Sequence, residues 1–163
     1  MLQISLAQPS DIPVIQDIAF TAWKPTYGHI LSEEQSRFML DWMYSSETLH
    51  QTMEGHTVFL LAKEENIAMG FAAFEPKEGG IVKLHKIYFL PISQGRGYGR
   101  QLLDEVSKQA VQAGGKYLEL NVNRSNSARQ FYEKLGFEMV REEDNYIGNG
   151  YWMNDYVMRK NLL

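Results

Sequence analysis

Apolar positions along the first sixty residues recur at helical spacing. Residues 3–7 alternate like a short strand. Ser10 or Asp11 then caps a helix reaching about Trp23, with Ile12, Ile15, Ile18, Ala19 and Ala22 on its apolar side. Lys24 to Leu31 holds Pro25 and Gly28 and reads as a loop. Ser32-x-x-Gln35 forms a capping box ahead of Phe38, Met39, Trp42 and Met43, and a short helix follows from Glu47 to Met53. The period then changes from helix to strand. Thr57 to Ala62 and Ile67 to Phe74 are β-rich runs joined as a hairpin by residues 63–66, and Ile81 to Leu90 is a third strand. Gly99 to Ala113 is an amphipathic helix, Tyr117 to Val122 a strand, and Asn126 to Leu135 a helix stopped by Gly136. Phe137 to Val140 and Tyr151 to Met158 close the chain as a strand pair. This order predicts an α+β fold: a mixed sheet with helices on both faces.

Length and composition narrow the class. The 163 residues suit one domain, with no linker, repeat or low-complexity tract. Hydrophobic content of 44% and charged content of 22% are those of an ordinary globular protein. Cysteine is absent, which removes disulfides, thiolate metal sites and a cysteine nucleophile. His29, His50, His56 and His85 lack ligand spacing, so no metal is expected. No run is long enough to span a bilayer and no secretory leader pattern opens the chain, so we expect a cytoplasmic protein with no membrane partner. A net charge of −4 argues against nucleic-acid binding, and a homodimer is left open.

Two segments carry chemistry. Gln94-Gly95-Arg96-Gly97-Tyr98-Gly99 closes the strand Ile87-Tyr88-Phe89-Leu90-Pro91 and opens a helix. A helix start leaves amides unpaired at the positive end of the helix dipole, and glycines remove the side chains that would hold a phosphate away. The spacing is neither a dinucleotide fingerprint nor a P-loop. Thirty residues downstream, Asn126-x-Ala128-x-x-Phe131-Tyr132-Glu133-Lys134-Leu135-Gly136-Phe137 puts Ala128, Phe131, Tyr132 and Leu135 on one helix face. Buried tyrosine needs a polar partner for its hydroxyl.

In combination these segments resemble the GNAT superfamily of acetyl-CoA-dependent N-acetyltransferases. The first matches that family's Q/R-x-x-G-x-G/A loop, and the second its later asparagine, Phe-Tyr and Gly-Phe motif. The resemblance covers about residues 80–140. It implies the GNAT (acyl-CoA N-acyltransferase) fold, a mostly antiparallel mixed sheet of about seven strands, and acetyl-CoA as cosubstrate. It implies cofactor contacts at Tyr88, Phe89, Gln94, Gly95, Arg96, Gly97, Tyr98, Gly99, Arg100, Asn126 and Tyr132. Amides from Gln94 to Arg100 would hold the pyrophosphate, a bulged end of the strand at Ile87 to Phe89 would splay from its neighbour, and the Phe89 N–H would polarise the thioester. Tyr132 would protonate the departing thiolate. Catalysis needs a neutral amine, and the expected base is His85, where related sequences often place a carboxylate, with Glu75 second. The acceptor is expected to be a primary amine of a small, polyamine-like molecule. A protein amine and a non-catalytic coenzyme-A-binding module are the alternatives. Trp23, Tyr27, His29 and Tyr146 would form its aromatic wall, with Glu33, Glu34 and Asp155 supplying acidity for a cation.

Overall fold

A computed structural model describes residues 1–163. Seven strands form one sheet in the order β1-β2-β3-β4-β5-β7-β6. They are β1 (Leu2–Leu6), β2 (Val58–Glu64), β3 (Ile67–Pro76), β4 (Ile81–Phe89), β5 (Tyr117–Asn123), β6 (Glu138–Gly148) and β7 (Tyr151–Asn161). The helices are α1 (Ile12–Tyr27), α2 (Glu33–Tyr44), α3 (Ser46–Glu54), α4 (Tyr98–Gln112) and α5 (Ala128–Lys134). Every strand pair is antiparallel except β4 with β5, the two joined by the crossover helix α4. The sequence thus places seven strands and five helices as the hydrophobic periods indicate.

Alternation along the strands sorts the core into two layers. Leu60, Ala72, Phe74, Val82, Leu84, Leu118 and Leu120 pack with Leu102, Leu103, Val106 and Ala110 of α4. Phe59, Leu61, Phe71 and Ala73 face the opposite way, onto Ile15, Ile18, Ala19 and Trp23 of α1, and onto Tyr44 and Leu49. On β5 the residues of that second face are polar, namely Glu119, Asn121 and Asn123. Here the apolar layer under α1 gives way to a buried polar cluster.

Two boundaries differ from expectation. Helix α1 continues through Lys24 and Pro25 to Tyr27. The donor that proline lacks falls in the last turn, where the loss is cheap, and the Thr26 hydroxyl donates to the Ala22 carbonyl (2.9 Å). Strand β6 extends through Gly148, far past Val140, because it pairs along nearly the whole of β7. Its alternation is masked by charged residues exposed on both faces.

Candidate active site

Pairing between β4 and β5 runs only from Ile81↔Tyr117 to Leu84↔Leu120, and beyond it the strands diverge. The gap opens a cleft of about 380 Å3. On β4 the register against β3 slips by one residue, Ala73↔Lys86 being followed by Phe74↔Leu84, so His85 is the extra residue of a bulge. The bulge was expected at Ile87 to Phe89; it lies two residues upstream, against β3. Its effect is visible in the core: Val82 and Leu84 face α4 before it, Ile87 and Phe89 after it. Consecutive side chains His85 and Lys86 are thereby turned to the same face, the one that meets α1.

The amides divide the other way. The Leu90 N–H donates to Met69 of β3 (2.8 Å). Alternation along the strand then aims the amides of Phe89 and Ile87 away from β3, into the gap. The close approach of β3 at this point depends on Gly70, where a Cβ would stand 2.5 Å from the Phe89 ring.

His85 and Glu75, expected as alternatives, form one unit. His85 Nε2 lies 2.8 Å from Glu75 Oε1, and Lys77 Nζ lies 3.0 Å from the same oxygen. The hydrogen bonds from His85 and Lys77 hold the Glu75 carboxyl below its ordinary range, so it is ionised and can only accept. The neutral imidazole therefore carries its proton on Nε2 and leaves Nδ1 as a base. Burial pushes the His85 imidazolium down, an effect Glu75 only partly offsets, so the ring is neutral at pH 7. His85 lines the cleft; Glu75 stands behind it.

From α5, Tyr132 lines the same cleft, its ring edge-on to Phe137 at 5.7 Å. Burial raises its phenol well above the usual tyrosine range, so it is protonated and able to donate. Asn126 also lines the cleft, with Oδ1 accepting from the Ala128 N–H (2.9 Å) at the start of α5. Only its Nδ2 is left for a ligand. Tyr27, Tyr88, Phe89, Gln94 and His29 complete the ring of expected residues around the opening.

Others lie elsewhere. Trp23 is 3% exposed in the α1 layer, one turn before Tyr27, with its Nε1 unpartnered. It is core, not acceptor wall, because the helix that continues through Pro25 turns it inward. Tyr146 is on the β6–β7 hairpin, where its hydroxyl accepts from the Gly150 N–H, away from the cleft lining. Glu33, Glu34 and Asp155 are likewise absent from that lining. Arg96 pairs with Glu64 (2.8 Å), and Tyr98 is a core side chain against Phe89, so each offers the loop its amide. Lys86 and Asn121 line the cleft without having been expected. The signal for Lys86 was present: the apolar period slips from Leu84 to Ile87, three residues instead of two, as a bulge requires.

The glycine loop forms a backbone cradle. Gly95 and Gly97 adopt φ of 82° and 74°, and a Cβ at either would meet nothing within 4 Å. The Gln94 amide, expected in the cradle, donates to the Pro91 carbonyl instead (3.2 Å). The consecutive amides from Gly95 to Arg100 donate to no carbonyl of the chain, and the first helical bond of α4 is Gln101 to Gly97 (3.2 Å). A row of unsatisfied donors at the start of a 15-residue helix is an anion site built from main chain.

Splayed parallel strands, a tyrosine in the cleft between them and an amide cradle ahead of the crossover helix point to an acyl-CoA-dependent transferase. Residues 28–160 match the family model described as the acetyltransferase (GNAT) domain, and the chain belongs to this family. The [ribosomal protein bS18]-alanine N-acetyltransferase of Haemophilus influenzae is 34% identical over 113 residues, 69% of this chain and 75% of that one. A spermidine N(1)-acetyltransferase of Thermoplasma acidophilum is 27% identical over 98% of this chain and 96% of its own length. The crystal structure of a PaiA N-acetyltransferase from the same organism, in complex with coenzyme A, superposes with TM-score 0.83 at 26% identity, covering 99% of both chains. The protein is an N-acetyltransferase with acetyl-CoA as its cosubstrate. The open glycines and free amides of the loop fit a diphosphate, and the unpaired edges of β4 and β5 fit an amide-bearing arm. No helix is long and apolar enough to cross a membrane.

Proposed function

We propose that this chain acetylates the primary amine of a small molecule, polyamine-like or another amine, by direct attack within a ternary complex. The supporting observation is that the His85–Glu75 pair, Tyr132 and the aromatic end of α1 converge on one cleft where β4 and β5 part. Acetyl-CoA supplies an activated acyl group with a thiolate as leaving group. Amides of Gly95 to Arg100 hold its phosphates, the Nδ2 of Asn126 meets the pantetheine arm, and the Phe89 amide donates to the thioester oxygen. An amine of pKa about 10 costs roughly 4 kcal/mol to deprotonate at pH 7. His85 Nδ1 takes that proton, with Glu75 fixing the tautomer. Tyr132 then gives its proton to sulfur.

Tyr27 and His29 at the end of α1 wall the acceptor side and favour a small substrate over an open peptide groove. The reading with a protein N-terminus as acceptor draws support from the Haemophilus relative, whose name specifies a ribosomal-protein alanine. Thiol release from acetyl-CoA, measured with polyamines, other small amines and alanine-terminated peptides, separates the two. Turnover confined to peptides overturns the small-amine reading. Coenzyme A binding with no acceptor turned over points to a sensor module. Tyr132→Phe should lower kcat about a hundredfold with the KM for acetyl-CoA nearly unchanged; unaltered kcat removes Tyr132 as the acid.

A further inference from the structure

Charge on the walls of the cleft is one-sided. Its ionisable side chains are His29, His85, Lys86 and the phenols Tyr27, Tyr88 and Tyr132, and no Asp or Glu is among the lining residues. The carboxylates nearest in the fold are already engaged. Glu75 holds His85 and Lys77, Asp155 accepts from Asn121 (3.1 Å) and Asn145 (3.3 Å), and Glu143 accepts from Asn121 (3.2 Å) and Arg141 (2.9 Å). A polycationic acceptor would find no carboxylate in the lining itself, and those beside it already hold other donors.

Lys86 is the centre of this asymmetry. The bulge at His85 turns it toward α1, where its Nζ sits 5.4 Å above the ring of fully buried Tyr44. It enters none of the ion pairs of the chain. Lys83, three residues earlier on the same strand, is the contrast: it donates to Asn121 and feels Glu119, Glu143 and Asp155. One lysine of β4 is compensated by carboxylates of the chain; the other lines the opening with only the Tyr44 ring beside it and no anionic partner. A partly buried cation without a partner is unfavourable, and an anionic ligand group is the means of relieving it.

We infer that the acceptor is a primary amine that also carries a carboxylate, and that the Lys86 ammonium binds this carboxylate as the specificity-determining contact of the cleft. The inference rests on the small-amine reading above. A single ammonium, with no arginine fork or helix N-terminus on the acceptor side, matches a monoanion. Burial lowers the Lys86 pKa to about 8, which still leaves roughly nine-tenths of it charged at pH 7.

The test uses matched pairs that differ by one carboxylate: cadaverine against L-lysine, tyramine against L-tyrosine, and n-propylamine against 4-aminobutanoate. Initial rates of thiol release are expressed per unprotonated amine. At least one pair should show kcat/KM tenfold or more higher for the carboxylate-bearing member. Lys86→Met should bring that ratio to within about twofold of one, and Lys86→Arg should keep it. Wild-type enzyme that favours the plain amine in every pair, or a ratio that survives in Lys86→Met, overturns the inference and leaves the small-amine reading standing. Turnover of neither member of any small-amine pair, with peptides acetylated, overturns both.

Discussion

Lys86→Met should stabilise the protein, by an amount that depends on pH in a calculable way. In the folded chain the ammonium titrates near 8, against 10.5 when free. That gap corresponds to about 3 kcal/mol, at about 1.36 kcal/mol per pH unit, by which the folded state disfavours the charged form. Between those two values the unfolded chain binds more protons at this site than the folded one, so wild-type stability rises as pH rises through the window. Below pH 8 both states are protonated and the whole penalty is present. By pH 9.5 about half of it is gone. Methionine keeps most of the aliphatic stem and removes the charge. The lost cation–π contact with Tyr44 subtracts about 0.5–1 kcal/mol from the gain.

The expected result is a Met variant about 2–3 kcal/mol more stable than wild type at pH 7, its advantage narrowing by at least about 1 kcal/mol at pH 9.5. Urea titrations followed by far-UV circular dichroism, in a carboxylate-free buffer, measure both values. Taking the difference between the two proteins cancels the titration of every group not coupled to Lys86. The coupled neighbour is His85, whose imidazolium Lys86 also disfavours, and it titrates below the range used. A variant no more stable than wild type at pH 7, or an advantage that stays constant to pH 9.5, refutes the argument from burial.

His85→Ala should lower kcat/KM about a hundredfold or more and abolish the acid limb, which in the wild type lies below pH 6.5 because burial depresses the imidazole; an acid limb that survives assigns the base elsewhere. Glu75→Gln should lower kcat/KM about tenfold while acetyl-CoA still binds, by releasing the tautomer that exposes Nδ1, and an unchanged pH–rate profile would show the pair to be merely structural. Gly97→Ala and Gly114→Ala impose the same strain, since φ is 74° and 85° and both positions are open, so each should cost about 1–2 kcal/mol of stability. Only Gly97→Ala should raise the KM for acetyl-CoA, and equal effects on KM would move the diphosphate off the cradle. Gly70→Ala should depress activity by pushing Phe89 and its amide out of line; full activity, with the fold intact, would mean the Phe89 amide has no role.

The elements legible in the sequence are the amphipathic helices, whose apolar residues recur every three or four positions, and the inner strands, whose continuous β-rich apolar runs are buried on both faces. The two-layer core and the crossover helix α4 follow from such patterns, and the glycine loop from its spacing between a strand and a helix. Strand β6 was read too short because its residues from Glu138 to Glu142 are mostly exposed, so no alternation reports the backbone pairing with β7. Trp23 at the expected end of the helix and Tyr27 in the expected loop both qualify by sequence for the acceptor wall. Once α1 runs on through Pro25 they are helical neighbours, ring centroids 4.6 Å apart, one sealed in the core and one at the cleft. Composition cannot express that difference. His85 and Glu75 were each visible as candidates, but their pairing depends on a strand register that slips by one residue.

That slip also explains how one strand serves two ligands. A regular β4 would send His85 and Lys86 to opposite faces, and only one of them would reach the side facing α1. The bulge places both there, the imidazole backed by Glu75 and the ammonium over the Tyr44 ring with no anionic partner. It leaves Ile87 and Phe89 packed toward α4 with their amides directed at the gap left by β5. On the proposed reading, the main chain of β4 meets the cofactor and its side chains meet the acceptor. Evolution of a new acceptor can then proceed at Lys86, Tyr27 or His29 without disturbing the groups that hold acetyl-CoA. On the inference drawn above, the Lys86 ammonium on that face disfavours polycations, even though the fold is shared with a protein named for spermidine.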